Sequence, residues 1–170
     1  KRAGEIDLSS FTGHDIQAVV DLQYENEGRK EKFSTAPTAV TINSDVGLEV
    51  RREKKDQGGR EVSVISWLLT NTFHDLKDIR VEGEWYGDAT LDEAAATVPA
   101  GAIQVDAANK KIVWLVPTMS TTVDVLALQF PLTINKKNST QTTLTGKVKL
   151  RARDAVTGEE MAVVGNEIPL

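Results

Sequence analysis

Two stretches of the chain alternate apolar and polar side chains without a break, and their polar positions lean to opposite charge. Ile79, Val81, Gly83 and Trp85 interleave with Asp78, Arg80, Glu82 and Glu84. Leu144, Gly146, Val148, Leu150 and Ala152 interleave with Thr145, Lys147, Lys149, Arg151 and Arg153. A period of two sends successive side chains to opposite faces of a strand, so each stretch predicts a strand with one buried and one wet face.

The same period recurs along the chain. Ile16, Ala18, Val20, Leu22 and Tyr24 share one face opposite Gln17, Asp21 and Gln23, until the polar run 25–32 ends the pattern. Val40 and Ile42 predict a short strand, and Val46, Leu48 and Val50 another, ended by a charged, glycine-rich turn over 51–60. Within 62–70 the apolar parity switches between Val64 and Ile65, which predicts a strand buried on both faces or carrying a bulge. Ile112, Trp114 and Val116 define a strand stopped by Pro117. The long strand 123–134 switches parity at Val125/Leu126, and Pro131 assigns that part to an edge or a bulge. Residues 161–168 form a last strand weakened by Gly165, and only 91–96 has helical leanings, for a turn or two. Many strands with no amphipathic helix between them predict an all-β, antiparallel sandwich rather than βαβ units. The sandwich is assigned to residues 46–170. Residues 1–45 are an extended segment that adds strands to it or to a neighbour.

Composition narrows the choice of function. A length of 170 residues suits one domain. A net charge of −5 argues against nucleic acid as a partner, because phosphate binding needs an excess of Lys and Arg. The absence of cysteine removes disulfides, thiolate metal sites and thiol nucleophiles together. No run approaches the roughly 20 apolar residues of a membrane-spanning helix. The sequence opens on Lys1, as expected of a processed or excised fragment.

Candidate chemistry is sparse. No serine sits in a Gly-x-Ser-x-Gly context and no phosphate-binding glycine loop occurs. His14 and His74 lie in predicted turns without a ligand or triad signature and are read as solvated. Asp88, Asp92 and Glu93, or Asp154, Glu159 and Glu160 with Asp7 and Asp15, are the acids that a calcium ion would draw on. No calcium-loop motif accompanies them, so they are read as solvated loop acids and no cofactor is assigned. Lys147, Lys149, Arg151 and Arg153 form a basic stripe suited to an anionic polymer such as a cell-wall glycan. No aromatic residue accompanies it, so charge balance against the 78–84 strand is the preferred reading. Trp67, Trp85 and Trp114 fall on apolar faces and are assigned to the core. Asn71 is a candidate structural turn residue, because its side chain can bond neighbouring backbone groups. Phe11-Thr12-Gly13-His14-Asp15-Ile16 and Val156-Thr157-Gly158-Glu159-Glu160-Met161 echo one another. Both fit a hairpin turn, or a chain cut from an array of modules of about this length.

The run Ser66-Trp67-Leu68-Leu69-Thr70-Asn71-Thr72-Phe73, followed by Ile79 and Val81, resembles the conserved-repeat Ig-like modules of bacterial surface proteins. The likeness is to the "domain of unknown function eleven" type, and notably to tandem modules in envelope proteins of uncultivated bacteria. Residues 105–114, 125–134 and 154–161 continue the likeness, which covers about residues 46–168. Met119-Ser120-Thr121-Thr122 departs from it where a glycine-rich turn is usual. The resemblance implies an Ig-like sandwich serving as a non-enzymatic extracellular module: a stalk, spacer or fibre subunit, or else an adhesion or glycan-binding module. It implies partners that are neighbouring modules or identical subunits joined through strand edges, or a surface glycan or protein. It carries over no catalytic residue.

Overall fold

The computed structural model describes residues 15–58, 60–136 and 138–170, and it is all-β over them. Residues 7–14, which hold His14 and the first half of the Thr-Gly echo, lie outside the described residues. β1 (Asp15–Ala18), β2 (Asp21–Asn26), β3 (Arg29–Ser34) and β4 (Thr38–Thr41) make one long hairpin. β1 pairs with β4 and β2 with β3, and the register slips by one residue between the two halves. Every residue of these four strands is exposed.

The sandwich follows. Its strands are β5 (Gly47–Gln57), β6 (Arg60–Thr70), β7 (Leu76–Glu84), β8 (Asp88–Leu91), β9 (Ala102–Asp106), β10 (Lys111–Met119), β11 (Leu126–Lys136), β12 (Thr143–Thr145), β13 (Lys149–Asp154), β14 (Glu160–Val164) and β15 (Ile168–Pro169). One sheet runs β14-β13-β7-β10-β9 and the other β5-β6-β11-β8, with all pairs antiparallel. β12 and β15 form a small third pair. The core lies between the two large sheets. It takes Ile79, Val81, Trp114, Val116 and Leu150 from one and Ile65, Trp67, Leu69, Leu128, Phe130 and Leu132 from the other. This is the antiparallel Ig-like sandwich expected from the alternation.

The three tryptophans are core residues, and two have indole partners. Trp114 Nε1 donates to Ala100 O at 2.8 Å and Trp85 Nε1 to Ala89 O at 3.1 Å. Trp67 meets Phe130 edge to face, with ring centroids 5.3 Å apart. Gly83 makes room for that indole, since a Cβ there would lie 2.8 Å from Trp67 Cζ2.

Several local expectations are corrected. The 51–60 segment is not a turn: β5 continues to Gln57 and β6 begins at Arg60, because pairing between them outweighs the charge density. β6 has no bulge. Ser63 takes the inward position that parity demands, its hydroxyl held by Arg52 Nε at 3.0 Å, while Val64 turns outward. Pro131 sits in β11, between two strands. Gln129 exchanges both backbone hydrogen bonds with Thr97, so the nitrogens of 129 and 131 face away from β6, past the end of β8. A bulge lies at Asp78, where φ is 54° and the β13–β7 register shifts, and the β11–β8 register shifts between Ile134 and Lys136. The bulge at Asp78 lets Leu76 and Ile79, three residues apart, both face the core. The 144–153 strand breaks at Gly146–Val148, where Tyr86 covers Gly146. Residues 91–96 make a single turn held by Asp92 Oδ1, which accepts from Ala94 N and Ala95 N.

Candidate functional site

The most developed polar site is closed. It lies at the pole where the chain enters the sandwich. The β13 alternation that buries Leu150 and Ala152 continues one step to Asp154, whose side chain is fully buried. Its Oδ1 accepts Val156 N at 2.8 Å and Thr157 N at 3.0 Å, closing the Thr-Gly turn on itself. Its Oδ2 accepts Ser44 N at 2.8 Å and lies 2.8 Å from His74 Nδ1. An ionised carboxylate only accepts, so His74 presents an Nδ1–H. Burial pushes the Asp154 carboxyl up, but the bonds from Ser44, Thr157, His74 and Val156 together outweigh it and hold the group below its ordinary value.

Neighbouring groups extend the cluster. Ser44 Oγ accepts Phe73 N at 3.3 Å, and the Phe73 and His74 rings lie 4.1 Å apart. Asn71 is buried; its Nδ2 donates to His74 O at 3.1 Å and to Met119 O at 3.4 Å. Its Oδ1 has no hydrogen-bond partner among the described residues. Four segments therefore meet here: the entry to β5, the β6–β7 turn, the end of β10 and the end of β13.

Two readings from the sequence are thereby reversed. His74 is not a solvated turn residue, and Asp154 is not a solvated loop acid; each is at least nine-tenths buried in partnership with the other. The signal for Asp154 was present in the period of two that buries Leu150 and Ala152. For His74 no such signal exists, because its partner lies 80 residues away. Among the described residues the other acids considered for calcium are dispersed. Asp88 Oδ1 accepts Asn135 Nδ2, Asp92 caps its own turn, and Glu160 pairs with Arg153 at 2.7 Å. Among the described residues no cluster of three His, Cys, Asp or Glu side chains could hold a metal ion.

The basic stripe is real as a surface. Lys147, Lys149, Arg151 and Arg153 are all exposed on one face, with β13 between β14 and β7. The expected balance is incomplete. Arg153 pairs with Glu160, and Lys149 stands opposite Glu82. Yet the Glu82 carboxylate bonds Lys111 at 3.1 Å and Arg80 at 3.2 Å, chiefly Lys111, which holds it below its usual range. Arg151 faces Arg80 directly, a like-charge pair.

At the sandwich's other seam, Arg52 spans the gap between β5 and the last strand. Its guanidinium donates to Ser63 Oγ, to Pro169 O at 2.6 Å and to Glu61 at 3.1 Å. No helix among the described residues is long and apolar enough to cross a membrane.

No protein-family model matches the sequence, and no curated protein matches it. Solved structures share the fold. The chain is similar to the major pilin subunit of Bacillus cereus, with 9% identity and a TM-score of 0.50, over 86% of this chain and 50% of that one. It is also similar to the full-length major pilin of Corynebacterium diphtheriae, with 15% identity, a TM-score of 0.48, and 82% and 44% coverage. A third likeness is to the N-terminal domains of a type V pilus tip protein from Porphyromonas gingivalis, with 9% identity, a TM-score of 0.48, and 60% and 22% coverage. The chain thus spans half or less of the length of these structures.

Proposed function

We propose that this chain is a non-enzymatic structural module of a bacterial surface protein, a stalk, spacer or fibre subunit that works outside the cytoplasmic membrane. The observation that carries the reading is that the first and last strands of the sandwich are anchored at opposite poles. Ser44 is bonded to Asp154 at one pole, beside the β6–β7 and β13–β14 turns. Leu170 N bonds Thr142 O at the other pole, beside the β11–β12 connection. Anchors at opposite poles suit a module loaded end to end. Both points are tied down, by the Ser44–Asp154–His74 cluster and by Arg52 on Pro169. The shared fold with a pilus subunit supports the same reading.

Pulling the module between residue 44 and residue 170 in single-molecule force spectroscopy tests this reading. A spacer unfolds in one step at high force, and Asp154→Ala lowers that force. Gradual unravelling at low force counts against a mechanical role.

A second reading is favoured by the unbalanced part of the stripe. Lys147, Lys149 and Arg151, next to Arg80, form a basic face suited to an anionic surface glycan. Salt-sensitive glycan binding that disappears in the triple variant Lys147→Glu, Lys149→Glu, Arg151→Glu supports adhesion. Unchanged binding removes the stripe from consideration.

A further inference from the structure

The ribbon of β1–β4 has two unlike faces. Residues opposite one another in an antiparallel pair share a face, so Ile16 and Val40 lie together, as do Leu22 and Phe33. Tyr24 follows Leu22 on that side, and Val20 bridges the two halves through Thr35. The opposite face carries Asp21 with Ser34, Gln23 with Lys32, and Glu25 with Lys30. Asp21 and Lys32 pair there at 3.2 Å. Ile16, Val20, Leu22, Tyr24, Phe33 and Val40 are between 41% and 64% exposed.

A two-stranded ribbon is marginal in water unless something packs on it. We propose that the apolar face is covered by the same face of a second copy of this chain, in an isologous dimer. Two ribbons packed face to face at about 10 Å form a four-stranded miniature sandwich around a two-fold axis. At their exposures the six residues present at most roughly 600 Å² per copy, so complete pairing buries at most about 1,200 Å², the lower end for a specific interface. Glu31 stands opposite Tyr24 and so shares this face; it accepts from the Tyr24 hydroxyl at 2.7 Å, which keeps both groups partnered when the ring is covered. The charged face remains in water. This inference does not depend on the sandwich being a surface module; a strict monomer would leave that reading standing.

The full chain, examined by sedimentation equilibrium from micromolar to submillimolar concentration, is expected to pass from monomer to dimer. Phe33→Asp is expected to raise the dissociation constant at least about a hundredfold. The sandwich unfolding midpoint should not move, because Phe33 lies outside that core. The absence of cysteine allows a sharper test. Leu22→Cys, on the apolar face, is expected to give an oxidised covalent dimer, whereas Gln23→Cys, one residue along on the charged face, is not. A chain that stays monomeric throughout overturns the proposal, as does equal cross-linking at both positions.

Discussion

Removing the Asp154 carboxylate is the most informative single change to the sandwich. In Asp154→Ala four donors lose their acceptor at once: Ser44 N, Val156 N, Thr157 N and the His74 Nδ1–H. A buried bond to a charged acceptor contributes about 1.5–3 kcal/mol, but the four share one group, and Val156 and Thr157 lie in the exposed turn where water can replace the carboxylate. Ser44 and His74 are buried, so their two bonds dominate and the loss is about 3–5 kcal/mol. Urea denaturation followed by tryptophan fluorescence measures it. With an m-value of about 2 kcal/mol/M, the midpoint falls by roughly 2 M. Asp154→Asn keeps one oxygen for the turn but turns an amide N–H toward Ser44 N, so it falls between wild type and Ala. The cluster also has a pH signature. The folded-state carboxyl lies below its ordinary 3.8, so the unfolded chain takes up the proton first. Its stabilisation is complete at pH above that ordinary value and is lost as pH falls through the folded value. Asp154→Asn should therefore have a shallower acid limb than wild type. A loss below about 1 kcal/mol in Asp154→Ala, with an unchanged acid limb, would refute the cluster as a lock.

Two further substitutions probe the frame around it. Asn71→Ala removes donors to the buried His74 and Met119 carbonyls and is expected to cost about 1–2 kcal/mol; an unmoved unfolding midpoint would refute a structural role for Asn71. At Gly101, φ is +72° and a Cβ would stand 1.9 Å from Leu115 O, so Gly101→Ala must displace the start of β9. The expected cost is about 3 kcal/mol or more, read as a lower thermal midpoint, and a loss under about 1 kcal/mol would show that β9 yields easily.

The sequence alone determined the class of the fold, because a period of two is a local property of the backbone. Ile79–Trp85, Ile112–Val116 and Leu150–Ala152 needed no partner to show which side they bury. Composition likewise disfavoured nucleic acid and excluded thiol chemistry, and the apolar parity placed all three tryptophans inside. What depended on which strand lies beside which could not be read from the chain. The continuation of β5 through Lys54 and Lys55 depends on pairing with β6, and the place of Pro131 on a gap that only Thr97 and β8 define. The imbalance of the basic stripe arises because register sets Arg151 against Arg80, while Lys111, opposite Glu84, reaches diagonally to Glu82. His74 was missed for the same reason: a polar residue in a turn is solvated unless the fold brings it a partner. The fold brings His74 to Asp154, and hydrogen bonds to that carboxylate outweigh the cost of burying it.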